Sequence, residues 1–149
     1  MNVLISIPAP NGVLPPVTIT DRPLDRQYFA AGTVVFEEGD AAKFAYLVQT
    51  GRVEISRRIG QHIIVLDHVT SGGIFGEMAL LDEALRSATA VALEDTICVL
   101  VREYEMQERM DRSDPFIRGL VRILIRNIRQ TNLRLGTLAV KADEDVQRG

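Results

Sequence analysis

The stretch from Tyr28 to Val101 consists of short runs rich in valine and isoleucine, and glycines separate these runs. The separating glycines are Gly32, Gly39, Gly51, Gly60 and the Gly72-Gly73 pair. Glycines at this spacing mark tight turns, and the runs between them have the length of strands. The predicted strands are Val34–Phe36, Ala45–Val48, Val53–Ser56, Ile63–Leu66, Ala88–Ala92 and Thr96–Val101. Many short strands joined by tight turns predict a β-sandwich, a β-barrel or a β-roll.

The residues after Val101 change to a helical pattern. A first helix is predicted around Arg102–Met110, and a longer one starts at Ser113-Asp114-Pro115, where a capping residue precedes a proline. The longer helix carries a stripe with intervals of four and three, which we call the seam: Ile117, Val121, Leu124, Ile128, Thr131, Leu135 and Leu138. The seam fits a helix of a second subunit or the β-domain of the same chain. Further apolar residues favour both contacts at once, namely Leu120, Ile123 and Ile125.

The long helix is also a basic stripe in an acidic protein. The chain has 17 basic and 20 acidic residues and a formal charge of -3, so it lacks the positive excess of a protein that coats nucleic acid. The arginines of the helix are Arg118, Arg122, Arg126, Arg129 and Arg134. DNA, an acidic partner or anionic lipid are possible ligands of such a stripe, but we interpret it as a solvated outer face of the helix.

Composition also bounds the domain organisation. Prolines break up the uncharged N-terminus, so it resembles neither a signal peptide nor a membrane span, and residues 1–27 are predicted to form an extended arm. Residues 28–140 are predicted to form one domain, followed by a polar tail at 141–149. A single cysteine, Cys98, and two histidines cannot supply a disulfide or a structural zinc set, which indicates a reducing, cytoplasmic setting and no metal.

The segment from Gly72 to Thr89 has the chemistry of a phosphate cradle. Gly76 lets backbone N–H groups approach an anion, and Arg86 supplies a planar fork for two phosphate oxygens. Glu77 fits beside a phosphate only if it serves a neighbouring group such as a sugar hydroxyl. A structural ion pair between Glu77 and Arg86 is the alternative interpretation.

These residues resemble the cyclic nucleotide-binding domains of catabolite activator proteins, cyclic nucleotide-gated channels and cAMP-dependent kinase regulatory subunits. The similarity runs from about Phe29 to Leu138 and is strongest in the phosphate-binding cassette, Phe75 to Thr89. It implies a jelly-roll-like β-roll, a mainly β fold followed by a short helix and a long C-terminal helix. The sequence departs from the family at Leu85, where proline usually precedes the arginine.

The resemblance assigns ligand-binding roles within the cassette and the long helix. By motif position, Glu77 binds the ribose 2′-hydroxyl and Arg86 the phosphate, and the backbone amides of four residues line the site: Gly76, Met78, Ala79 and Ser87. Thr131 and Asn132 lie where the catabolite activator proteins contact adenine, which favours cAMP over cGMP. A polar contact across a dimer seam and a solvent-facing hydroxyl are the alternative roles of Thr131.

The resemblance implies a stand-alone cytoplasmic sensor of cAMP or cGMP, without catalysis, a cofactor or a metal. Its long helix is expected to close over the base, to pair in a homodimer and to signal to an unidentified downstream protein. Only eleven residues follow Leu138, so no DNA-binding domain is expected in this chain, and no membrane segment is expected because prolines interrupt the uncharged N-terminus. The alternatives are a dimerising module that binds no nucleotide and the truncated regulatory part of a transcription regulator. An enzyme of the cupin kind is set aside, because His62 and His68 alone do not make a metal site.

Overall fold

The computed structural model describes residues 24–149 throughout and, before residue 24, only the backbone of four two-residue strands. These are β1 (Leu4–Ile5), β2 (Pro8–Ala9), β3 (Gly12–Val13) and β4 (Val17–Thr18), with β1 paired to β4 and β2 to β3. Most of the arm predicted at residues 1–27 therefore lies outside the described residues.

Eight further strands form two four-stranded sheets in which every pairing is antiparallel. They are β5 (Arg26–Phe29), β6 (Val34–Phe36), β7 (Phe44–Thr50), β8 (Arg52–Ile59), β9 (His62–Thr70), β10 (Ile74–Phe75), β11 (Thr89–Ala92) and β12 (Thr96–Arg102). One sheet has the order β10-β7-β12-β5 and the other β6-β11-β8-β9. This architecture confirms the predicted mainly β fold with C-terminal helices.

Three strands are at least three residues longer than their sequence pattern indicates, and two of these eight strands were not predicted. Strands β7, β8 and β9 continue past Val48, Ser56 and Leu66, where polar or charged side chains such as Gln49, Arg58 and Asp67 interrupt the apolar pattern. Strand β5 buries only Phe29 among its four residues, and β10 has two residues, so neither gives a clear apolar pattern.

The described residues also form three helices: α1 (Glu77–Leu81), α2 (Glu103–Arg112) and α3 (Pro115–Arg148). The predicted start of α3 is correct, since the side chain of Asp114 accepts a hydrogen bond of 2.8 Å from the N–H of Phe116. The helix runs through residues 141–148, so the predicted polar tail continues α3.

An aromatic cluster fills the core between the sheets. The rings of Tyr46 and Phe75 stack with centroids 5.1 Å apart, and the centroid of Phe36 lies 5.9 Å from each of them. Side chains with no exposed surface, such as Val53 and Cys98, surround these rings. The core thereby fixes β6, β7 and β10, which border the cassette.

Helix α3 packs on the roll through a narrow strip. Ile125 and Gly136 are its buried residues, and a Cβ placed on Gly136 would come within 2.2 Å of the Cδ1 of Ile59. The seam lies largely outside this contact, with Leu124 50% and Leu135 57% exposed. Of the three further apolar residues, Ile125 makes the predicted contact with the chain's own β-domain, whereas Leu120 and Ile123 are 40% and 46% exposed. Most of the seam stays uncovered in a single chain.

Candidate functional site

A cavity of about 280 Å³ lies where the cassette, strand β9 and helix α3 meet. Its volume is close to the lower end of the range for small-molecule sites, about 300–1,000 Å³. Seven of the eight residues predicted from the sequence line it: Gly76, Glu77, Met78, Ala79, Arg86, Ser87 and Asn132. The eighth, Thr131, has an exposed side chain and is not among the lining residues.

Gly76 owes its identity to backbone conformation and close packing. Its φ is +75°, in the left-handed region that favours glycine, and it precedes the first residue of α1. A Cβ at this position would come within 2.6 Å of the Nη1 of Arg86. Any side chain here would therefore displace the arginine of the site.

Arg86 is held by the backbone and by an aromatic ring. Its Nη1 donates to the carbonyl of Gly76 at 2.6 Å, its Nη2 donates to the carbonyl of Phe44 at 2.5 Å, and its guanidinium lies 3.9 Å from the ring centroid of Phe36. The residue is only 5% exposed, and burial lowers its pKa. The sequence analysis did not predict that Phe36 and Phe44 support Arg86. A ring beneath a guanidinium and a backbone carbonyl acceptor have no recognisable sequence motif.

The Nε of Arg86 is a buried donor that has no hydrogen-bond acceptor within the described part of the chain. A buried charged group with an unsatisfied donor is costly, and an anionic acceptor removes that cost. Because Arg86 lines the cavity, the site can bind an anion there.

Glu77 begins α1 and lies close to two arginines. Burial raises the pKa of its carboxyl, and the nearby charges of Arg86 and Arg129 partly offset this rise. Since both Nη groups of Arg86 bond to carbonyls, the arginine does not depend on Glu77 for support. The carboxylate lines the cavity and can accept a hydrogen bond from a hydroxyl.

Arg129 corrects the interpretation of the basic stripe. Its Nε and Nη2 donate to the two carboxylate oxygens of Asp82 at 2.6 and 2.9 Å, and both side chains are 20% exposed. Asp82 follows the last residue of α1. One of the arginines assigned to the solvated face thus links the long helix to the cassette, a contact that the heptad spacing alone does not reveal.

The two histidines each lie beside a different carboxylate. His62 Nδ1 lies 3.4 Å from a carboxylate oxygen of Asp143 in α3, and His68 Nε2 lies 3.3 Å from one of Glu54 in β8. Within residues 24–149, no three His, Cys, Asp or Glu side chains cluster as metal ligands.

A family model described as the cyclic nucleotide-binding domain matches residues 26–113, more than half of the chain. The chain belongs to the cyclic nucleotide-binding domain family. The matched residues include the roll, the cassette and α2.

Relatives and solved structures agree with this assignment. The chain is 34% identical over 115 residues to a cyclic AMP receptor protein of Thermus thermophilus, which covers 76% of this chain and 53% of that protein. It is 38% identical over 69 residues to a cAMP-dependent protein kinase regulatory subunit of Eremothecium gossypii, covering 46% of this chain and 14% of the subunit. The matched part of this chain thus spans about half the length of the first relative and about a seventh of the second.

Among solved structures, the cAMP-bound form of the EAL enzyme Bd1971 superposes with a TM-score of 0.72 at 31% identity, over 83% of this chain and 33% of that one. The cGMP-bound form of the same enzyme superposes with a TM-score of 0.68 at 32% identity, over 83% and 34%. Relatives of this domain include cyclic nucleotide-binding regulators, and some neighbours join the domain to an enzyme. None of the described helices is long and apolar enough to cross a membrane.

Proposed function

We propose that the chain binds a cyclic nucleotide in the cavity beside the cassette. The observation that carries this proposal is the buried guanidinium of Arg86, a residue that lines the cavity and whose Nε has no acceptor among residues 24–149. The cyclic phosphate is proposed to bind the guanidinium of Arg86. The backbone amides of Gly76, Met78, Ala79 and Ser87 complete the phosphate cradle that the family resemblance implies.

Glu77 is proposed to bind the ribose. Its carboxylate lines the same cavity and lies close enough to Arg86 for their charges to interact. A cyclic nucleotide places a 2′-hydroxyl next to its phosphate, so an acceptor beside an anion site fits that sugar. The carboxylate accepts a hydrogen bond from this hydroxyl. This role explains why an acidic residue is present next to a phosphate cradle.

The base is proposed to contact α3, with adenine preferred. Asn132 lines the cavity and offers both an amide donor and a carbonyl acceptor, and Thr131 lies beside it on the exposed seam. The solved neighbour occurs in cAMP-bound and cGMP-bound forms, so base choice depends on this chain's own residues. A competition between cAMP and cGMP on the wild type and on Asn132→Ala tests the contact; a preference for cGMP, or no change in the variant, contradicts it.

The signal is proposed to be a change in the position of α3. Ile128 and Asn132 of this helix form part of the cavity wall, so a ligand that fills the cavity contacts the helix directly. A ligand shifts the population of helix positions only to the extent that it binds the protein more tightly with the helix in one position than in the other. The exposed seam gives the moved helix a surface through which it acts on a second copy and on a downstream protein.

Calorimetric titration of the full chain with cAMP, cGMP and linear 5′-AMP tests the function. We expect a dissociation constant in the micromolar range or tighter for a cyclic nucleotide, roughly -8 kcal/mol or better. The linear nucleotide is the matched control, because it carries the same base but a phosphate that is not closed onto the sugar. A folded protein that binds neither cyclic nucleotide favours the alternative of a dimerising module.

A further inference from the structure

One ion pair joins the end of the cassette helix to the middle of the long helix. Arg129 and Asp82 make a bidentate contact, with donor–acceptor distances of 2.6 and 2.9 Å, in a partly buried setting. A bidentate guanidinium–carboxylate pair fixes orientation as well as distance. The contact therefore sets how α3 lies relative to α1.

The pair stands beside the cavity without forming its wall. Asp82 directly follows α1, and the first residues of that helix line the cavity. Arg129 follows Ile128 and precedes Asn132 by less than one turn, and these two residues are the contribution of α3 to the wall. Because α3 otherwise buries only Ile125 and Gly136, few other contacts hold this part of the helix on the roll.

We propose that the Asp82–Arg129 pair is the tie that holds α3 over the nucleotide cavity, which makes Arg129 a positioning residue for Ile128 and Asn132. The inference rests on the proposed function for its consequence in binding, but the tie itself is a property of the free protein. Breaking the pair releases the middle of α3 and enlarges the range of positions that Asn132 occupies.

The positive charge of Arg129 also acts on the carboxyl of Glu77 and favours its ionised form. The positive charges near Glu77 are Arg86, from the loop before β11, and Arg129, from α3, while Asp82 neutralises part of the charge of Arg129. Removing Arg129 makes Glu77 easier to protonate, whereas removing the charge of Asp82 has the opposite effect. Substitutions of Arg129 and of Asp82 should therefore shift the pH at which Glu77 is protonated in opposite directions.

Hydrogen exchange of the free protein tests the tie without a ligand. Arg129→Met keeps most of the apolar stem of the side chain and removes its charge, and Arg134→Met is the matched control on an exposed arginine of the same helix. We expect amides 121–136 to exchange about tenfold faster in Arg129→Met and at the wild-type rate in Arg134→Met. Equal exchange in Arg129→Met and the wild type overturns the proposal.

Nucleotide titration of a double-mutant cycle tests the consequence for binding. Asp82→Asn is the partner variant, because its side-chain oxygen can still accept from the N–H of Ala84, as Asp82 does at 3.3 Å. We expect each single variant to weaken cyclic nucleotide binding about tenfold and the double variant to be no weaker than the weaker single variant. Affinities that equal the wild type, or losses that add in the double variant, overturn the proposal.

The pH dependence separates positioning from a general loss of structure. As the pH is lowered, affinity falls when Glu77 becomes protonated. We expect this fall to begin at a higher pH in Arg129→Met and at a lower pH in Asp82→Asn than in the wild type. The same shift in both variants contradicts the pairing. A wild type that binds no cyclic nucleotide overturns the proposed function instead, and the exchange experiment still decides whether the pair holds α3.

Discussion

The β-roll and helix α3 differ in how completely they bury their apolar side chains. Val53, Ala90 and Cys98 in the roll have no exposed surface, whereas Leu124 and Leu135 in the seam are 50% and 57% exposed. The roll therefore forms a complete core of its own, and α3 packs against it only through a narrow strip of residues. Substitutions in the roll are expected to act on folding, and substitutions in the seam on association.

The largest expected effect is on association through the seam. Leu124→Glu combined with Leu135→Glu removes two exposed leucines that do not line the cavity. Full burial of such a side chain contributes about 1.5–3 kcal/mol, and each leucine is already about half buried in a single chain. Substituting the four leucines of a symmetric dimer is therefore expected to weaken it by roughly 3–6 kcal/mol. Sedimentation at increasing protein concentration measures the change, with nucleotide present and absent. A wild type that stays monomeric at high concentration contradicts the dimer.

The next effect is on the stability of the roll. Gly51 has a φ of +103°, and a Cβ there would lie 2.6 Å from the Cα of Thr96 and 2.7 Å from the carbonyl oxygen of Asp95. These are backbone atoms that cannot swing away, so Gly51→Ala combines strain with overpacking. We expect the free energy of unfolding to fall by about 3 kcal/mol in urea titrations. A loss below about 0.5 kcal/mol would show that the turn adapts.

A glycine-to-alanine substitution in α3 should instead stabilise the protein. A Cβ on Gly119 would meet no atom within 4 Å, and this glycine lies inside the helix. Alanine costs less backbone entropy there, so Gly119→Ala is expected to raise the free energy of unfolding by about 0.5–1 kcal/mol. A lower free energy of unfolding in Gly119→Ala would contradict the conclusion that this side of α3 is open to solvent.

The smallest effect concerns the cost of keeping Glu77 in the cassette. Burial raises the pKa of its carboxyl in the folded protein, so the folded state binds a proton more readily than the unfolded chain. The unfolded pKa is about 4.3, and stability is lost as the pH rises from that value through the raised folded pKa. We expect Glu77→Gln to stabilise the free protein at neutral pH and not below about pH 4, while it weakens nucleotide binding. A variant that is less stable at neutral pH contradicts this assignment.

The cassette was predictable from the sequence because its chemistry is local. Gly76, Glu77 and Arg86 lie within eleven consecutive residues, and the structure places all three on one cavity. Likewise, β6 was predicted to the residue, since turns bound it on both sides. Neither conclusion required knowledge of long-range contacts.

The parts that were missed depend on residues far apart in the chain. Asp82 and Arg129 are separated by 47 positions, and nothing in a heptad pattern indicates that one arginine of five faces a carboxylate. The ring of Phe36 beneath Arg86 and the contact of Gly136 with Ile59 arise in the same way. Spacing predicts which residues share a helix face, and tertiary packing decides what that face contacts.

Calorimetric titration of the wild type and of Arg86→Leu with cAMP and cGMP tests the central claim, that Arg86 holds the cyclic phosphate. Removing one member of a buried charge pair costs about 2–5 kcal/mol of binding free energy, so the variant should lose most of its affinity. Arg58→Leu, at an exposed arginine of the roll, is the matched control and should bind like the wild type. Because Arg86 also supports the carbonyls of Gly76 and Phe44, circular dichroism must show that the variant folds, and Arg86→Lys, which keeps the charge without the fork, provides a second comparison. Wild-type affinity in a folded Arg86→Leu would contradict the account.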